Sequence, residues 1–215
     1  LVNFACGQDP QGKSISKSSQ LSVIESSNVR IGSSRFGNTS SIVGVSDNHK
    51  AAIYLEDVQN VIVDNVWVGL QLDGSSDKAR KPSGFVIDAG GLEIYGYSTN
   101  VTVGVDGPYP VILANCLRDG IRVQSMMNLV SPFAGGLAIR NTLIGLDSDG
   151  HPAPNAGSGL QVSGEFCEPS IPINVGVDGS EFPVVFGCNA LNHVRVSQSC
   201  PASSGTLTTI FNITN

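Results

Sequence analysis

Gly32, Gly104 and Gly176 stand 72 residues apart twice over, each closing a short apolar run: Asn28-Val-Arg-Ile-Gly32, Asn100-Val-Thr-Val-Gly104 and Ile173-Asn-Val-Gly176. Three matching motifs at even spacing mark an internal repeat. A second series, Asn65-Val-Trp-Val-Gly69 and Asn141-Thr-Leu-Ile-Gly145, falls between them, so a Val/Ile-Gly element is expected about every 36 residues. Self-similarity at such a period is the sequence signature of a solenoid, in which each repeat packs only on its neighbours.

The content of one repeat selects the kind of solenoid. After Gly104 come Val-Asp-Gly, then Pro110-Val-Ile-Leu-Ala-Asn-Cys116, then Asp119-Gly-Ile-Arg-Val123. After Gly176 the same order returns as Val-Asp-Gly, Pro183-Val-Val-Phe-Gly-Cys188 and His193-Val-Arg-Val196. These are short β-prone runs punctuated by Gly, Asp and Asn, and no long window carries a 3.6-residue apolar period. Helical repeats are excluded. Three short strands per turn, with alternate side chains pointing inward, describe an all-β, right-handed parallel β-helix of about five coils. At about 4.8 Å per rung, five coils make a rod of roughly 24 Å.

The five Asp-Gly pairs, Asp73-Gly74, Asp106-Gly107, Asp119-Gly120, Asp149-Gly150 and Asp178-Gly179, supply corner residues that tolerate positive φ. Asp-Gly is also a hairpin signal, and hairpins would give an antiparallel sandwich instead. The 72-residue period argues for the coil. A chain of 215 residues with 40% hydrophobic and only 14% charged residues has enough apolar material for one elongated core. Residues 1–27 read as an N-terminal cap or lead-in, with Leu21-Ser-Val-Ile24 as a first strand; 28–200 as the coils; and 201–215 as a C-terminal strand or cap. The β-prone run from Thr206 to Ile213 is expected either to close its own helix or to pair with the N-terminal region of a neighbouring copy.

The chain has no apolar run of transmembrane length and begins with Leu1, as a processed chain or a piece of a larger one would. Sequons at Asn38, Asn100 and Asn212, together with five cysteines, point to an extracellular glycoprotein. Cys116 and Cys188 each lie twelve residues past a repeat glycine, which places them two coils apart, about 9.6 Å, too far to bridge. Cys167 and Cys200 follow equivalent strands of adjacent coils and are the expected disulfide. Cys6 is left over for a partner outside this segment or on another chain.

The run from Asn100 to Gly164 resembles the two-coil repeat of large surface and adhesin-type β-helix proteins of the pectin-lyase-like superfold, and more narrowly algal flagellar-hair and cell-wall proteins. That resemblance implies structural roles for the turn asparagines Asn65, Asn115, Asn141 and Asn155, and a non-catalytic function in self-assembly or in contact with other extracellular proteins and glycans. The same superfold includes enzymes acting on acidic polysaccharides. Their resemblance would imply Asn-Thr-Asp, Asp-Asp, Gly-His-Gly and Arg-Ile-Lys motifs, or Asp-Pro-His-Asp in the epimerases, and none occurs in this chain. No catalytic residue and no cofactor is therefore expected.

What remains for a sugar is a lateral groove floored by Tyr95, Tyr97, Arg122 and Arg195, with Arg30 in a comparable Val-Arg-Ile. The bland account of the arginines is a solvated ladder. His49, His151 and His193 lie in or beside turns without a carboxylate at fixed spacing. Asp147-Ser-Asp149-Gly150 opens like a calcium loop, but the later ligands are missing, so a tight corner is expected and no metal. A net charge of −6, with Asp77-Lys-Ala-Arg-Lys81 as the one basic cluster, excludes nucleic acid as a partner. Trp67 is expected in the core.

Overall fold

In a computed structural model the described residues wind through six coils of three strands each. The structure describes residues 5–6, 21–32, 40–42, 51–71, 74, 86–125, 136–164, 173–176, 182–198 and 211–213. The first coil comprises β1 (Ala5–Cys6), β2 (Leu21–Ile24) and β3 (Ser27–Gly32), and the second β4 (Ser40–Ile42), β5 (Ala51–Glu56) and β6 (Gln59–Asp64). The third holds β7 (Val66–Val68), β8 (Gly90–Tyr95) and β9 (Thr99–Val103); the fourth β10 (Val111–Leu113), β11 (Ile121–Ser125) and β12 (Leu137–Ile139). The fifth holds β13 (Thr142–Ile144), β14 (Leu160–Gly164) and β15 (Ile173–Val175), and the sixth β16 (Val184–Phe186), β17 (Val194–Gln198) and β18 (Phe211–Ile213).

Every third strand joins the same sheet, and every strand pairing is parallel. The first sheet runs β1-β4-β7-β10-β13-β16; the second contains β2 through β17; the third contains β3 through β18. This is the all-β parallel coil expected from the repeat, with six coils rather than about five. The additional rung comes from the chain's two extremities: β1 and β2 precede residue 28, and β18 follows residue 200. The Leu21–Ile24 strand stands as read. The hairpin signal is realised locally, where an antiparallel bridge between Leu146 and Pro152 closes the turn at Asp149-Gly150.

Alternation builds the interior. In the second sheet Leu21, Ile53, Leu92, Ile121, Leu160 and Val194 occupy one column. In the third, Ile31, Val63, Val103, Ile139 and Val175 occupy another. From the second coil to the fifth these side chains are all buried in one continuous core. The first sheet departs from strict alternation, because its outward column of Trp67, Ile112 and Leu143 is apolar too. These pack with Leu70, Ala114 and Ala153 into a small second cluster on the outside of the coil. Trp67 thus belongs to this outer cluster, half-buried, and not to the coil interior.

Register corrects the reading of the repeat. Gly32, Gly104 and Gly176 do share one corner, each directly after the Ile31, Val103 and Val175 column of the third sheet. Gly69 and Gly145 instead follow β7 and β13, at a corner of the first sheet. The residues between the three glycines at their own corner are Asp64 and Arg140, because single coils are unequal. Val29 and its partner Val61 are 32 residues apart, whereas Val61 and Val101 are 40 apart. Two coils together restore 72.

Glycine is required there by both conformation and space. Gly104 has φ +77°, and a Cβ on it would run into the carbonyl oxygen of Arg140 in the next coil; Gly32, at φ +85°, meets the carbonyl of Asp64 in the same way. Of the described Asp-Gly pairs, Gly107 and Gly150 take positive φ, but Gly120 does not. It is small because a Cβ would press on Ile144 Cγ2 at 2.6 Å.

Candidate functional site

The outer face of the second sheet brings together most of the side chains expected to touch a ligand. One column runs Ser22, Tyr54, Glu93, Arg122, Gln161, Arg195, and the next outward column runs Ile24, Glu56, Tyr95, Gln124, Ser163, Ser197. Tyr54 and Tyr95 stack with ring centroids 6.2 Å apart and planes inclined by 30°. Tyr54 and Glu93 are buried, Arg122 is half-buried and Arg195 exposed. Arg122 Nε is shielded from solvent without a hydrogen-bond partner. The Gln161 amide nitrogen, oriented as its surroundings require, donates to both carboxylate oxygens of Asp119, at 3.3 and 3.1 Å.

This face holds three of the four residues named from sequence, but not as a tight cluster. Tyr95 lies in the third coil, Arg122 in the fourth and Arg195 in the sixth, so Tyr95 and Arg195 are roughly 14 Å apart along the stack. Tyr97 lies beyond the end of β8, in a turn whose backbone N–H donates to Asp57 Oδ1 at 2.6 Å. Arg30 is not on this face at all. It sits in the third sheet, where its guanidinium meets Asp64 Oδ2 at 2.5 Å. The Val-Arg-Val pattern looks the same on any sheet, so the pattern alone could not separate them. Tyr54, Glu93 and Gln161 were missed, although period-two reading of 51–56 and 90–95 from the stack's register would have placed the first two.

A second constellation is made of amides. Asn115 Nδ2 donates to the Gly69 carbonyl at 3.0 Å, Asn155 Nδ2 to that of Leu113 at 3.0 Å, and Asn189 Nδ2 to that of Ile144 at 3.3 Å. Each therefore reaches back one coil. Asn155 also accepts from the Cys116 N–H at 3.0 Å and donates to Asn189 Oδ1 at 3.0 Å, which satisfies its buried amide on both sides. Asn141 Nδ2 gathers the carbonyls of Val105 and Gly107 at 2.9 and 2.7 Å, pinning the loop that precedes β10 in the coil before its own. Outside, Asn100 donates to Asn60 Oδ1 at 2.7 Å and Asn60 to Asn28 Oδ1 at 3.1 Å, an exposed ladder over three coils. Asn28, Asn60 and Asn100 all take φ between 52° and 57°. Asn65, Asn115 and Asn141 take positive φ at coil corners, whereas Asn155 does not; the buried Asn65 amide makes no hydrogen bond, and Asn189 was not among the asparagines named from sequence.

Of the glycosylation candidates, Asn100 is exposed at the head of that ladder, Asn212 lies within β18 opposite Asn174, and Asn38 falls outside the described residues. Cys167 and Cys200 also lie outside the described residues. Cys116 is buried and Cys188 exposed, both free. Burial pushes the Cys116 thiol far above its ordinary range, and the nearby Asp119 carboxylate adds to the shift. Alkylation of the native protein is accordingly expected to modify Cys188 and to leave Cys116 untouched until the fold is opened with denaturant, as read by peptide mass spectrometry.

Asp147 Oδ1 accepts backbone N–H bonds from Asp149 at 3.0 Å and His151 at 2.8 Å, which is the tight corner expected of that sequence. His151 does face a carboxylate, contrary to the sequence reading: its Nδ1 lies 3.5 Å from Asp147 Oδ2, on an exposed loop. His193 packs beside the Phe186 ring, and His49 is outside the described residues. Among the described residues there is no group of three or more His, Cys, Asp or Glu side chains placed to hold a metal ion, and no helix long and apolar enough to cross a membrane. No family model matches the chain, and no curated protein or solved structure is significantly similar to it.

Proposed function

We propose that this chain is an extracellular structural or adhesive β-helix module, a passive rod that spaces or joins other components of a surface. The observation that carries the reading is the use made of polar side chains at the corners. Asn115, Asn155 and Asn189 bond the coil before them, and Asn28, Asn60 and Asn100 bond one another. These groups hold coil to coil and leave little free for a ligand. The resemblance to surface and adhesin-type repeats supports the same role, and the sequons and cysteines support an extracellular setting.

The Tyr54–Tyr95 stack, with Arg122 one coil further along the same face, favours a second reading as a carbohydrate-binding β-helix. Aromatic faces stack on sugars and arginine pairs with a uronate. Polygalacturonate and alginate retention and cleavage assays separate the two. The structural module neither cleaves nor is retained by either polymer; specific retention that Arg195→Ala weakens tenfold or more would overturn it.

A further inference from the structure

We propose that the two ends of the coil stack bind each other in successive copies of this chain, head to tail, so that the sixth coil of one copy receives the first coil of the next. The inference rests on the reading of the chain as a structural module and names its partner: a second copy of itself.

The interior of the stack surfaces at both ends. Val23, Leu55, Ile94, Val123, Val162 and Val196 form one inward column, in which Val162 is 1% exposed and Val196, the last, is 45% exposed. Val184, Phe186 and Val194 of the sixth coil are likewise only partly buried against the core. So are Leu21, Val23 and Val29 of the first. These residues occupy columns whose members are fully buried wherever another coil covers them. Among the described strands, those of the first and sixth coils pair with a neighbouring strand on one side only, the position at which a further parallel strand adds.

What fits such an end is another coil of the same register, and the chain's opposite end provides one. Joined head to tail, Val194 falls over Leu21 and Val196 over Val23, apolar on apolar in the same two columns. On the outward face of this sheet, Arg195 falls over Ser22 and Ser197 over Ile24, so no like charges meet there. The corner pattern also stays in phase. Gly32, Gly104 and Gly176 occupy coils one, three and five, with Asp64 and Arg140 in coils two and four, and six coils are a whole number of two-coil repeats. The next copy's Gly32 therefore follows a coil of the non-glycine kind, as Gly104 and Gly176 do within one chain. The two ends are different surfaces, so the contact is heterologous and propagates instead of closing.

Analytical ultracentrifugation of the 215-residue chain and of two end variants tests this. The unmodified chain is expected to lengthen with concentration. Val196→Asp and Val23→Asp, each burying a charge at one joint, should weaken self-association about a hundredfold or more and run as monomers. Ser197→Asp, with the same charge on the outward face, should associate within about threefold of the unmodified chain. An equimolar mixture of the two end variants retains one good joint between unlike partners and is expected to form dimers and nothing longer. If circular dichroism finds Val23→Asp unfolded, Val23→Ser takes its place. Dimers in the mixture alone confirm the contact. An unmodified chain that stays monomeric at every concentration, end variants that associate as before, or a mixture that stays monomeric would each overturn it. The module reading itself is decided separately, by the polysaccharide assays.

Discussion

Gly104→Ala is expected to destabilise the protein by roughly 3–5 kcal/mol, about 10 °C or more in melting temperature for a chain of this size. Two costs add. Gly104 holds φ +77°, which charges any L side chain about 1–2 kcal/mol. The methyl group would also collide with the carbonyl oxygen of Arg140, a backbone atom of the adjacent coil, so relief requires moving one rung relative to the next. That displacement disturbs the hydrogen bonds between β9 and β12. Gly150→Ala is the control, at φ +82° with nothing within 4 Å of the added carbon, and its cost should be confined to about 1–2 kcal/mol. Thermal unfolding followed by circular dichroism measures both. Equal losses would mean that the corner glycines serve backbone conformation alone and not the close approach of coils.

Asn155→Ala carries the second large effect, again roughly 3–5 kcal/mol. The wild-type side chain accepts from the Cys116 N–H and donates to the Leu113 carbonyl and to Asn189 Oδ1, all at 3.0 Å, the first two fully buried and the third partly so. Truncation orphans the buried Cys116 N–H, at about 1–3 kcal/mol, and removes two donated bonds worth about 0.5–1.5 kcal/mol each, although the Leu113 carbonyl still accepts from the Gly145 N–H at 3.0 Å. Asn155→Asp keeps the acceptor but loses both donated bonds and buries a charge, so it should not rescue the loss. At the exposed ladder the corresponding change is small: Asn100→Gly keeps the left-handed conformation available and removes one solvent-accessible bond, about 0.5–1 kcal/mol. Denaturant titration of the three variants ranks them. Asn155→Ala near wild type would show that the amide ladder contributes nothing to stacking.

Both predictions turn on residues whose importance was unevenly legible. The 72-residue recurrence of Gly32, Gly104 and Gly176 was visible because loop lengths vary within a two-coil unit and are restored across it. The same variation hid the single-coil partners. Asp64 and Arg140 bear no resemblance to the glycines they sit beside. Gly69 and Gly145 imitate the motif from a different corner, since a Val-x-Val-Gly run suits the end of a strand on any sheet. The amide ladders were hidden for the same reason. Asn28, Asn60 and Asn100 are 32 and then 40 residues apart, a spacing no fixed period would select, and Asn189 follows a glycine-cysteine pair where Asn115 follows Leu-Ala.

Inward columns were accessible from alternation alone, as Leu21–Ile24 and Ile121–Val123 illustrate. The outer face of the first sheet was not, because Trp67, Ile112 and Leu143 carry an apolar column where the pattern demands a wet one. At the candidate face, Tyr95, Arg122 and Arg195 share the outward side of one sheet, while their separation along the stack, the place of Tyr97 beyond β8 and the displacement of Arg30 to another sheet required the register. Sequence identified which residues alternate; only pairing shows which sheet they alternate on.

Electron microscopy of the purified chain over a range of concentrations tests most directly whether this is a building block. The expected image is of unbranched filaments one coil across, with an axial repeat of about 29 Å, the height of six rungs at about 4.8 Å each. Dispersed short particles at every concentration, decorating polygalacturonate or alginate along its length, would contradict it and make the tyrosine and arginine face of the second sheet the working surface.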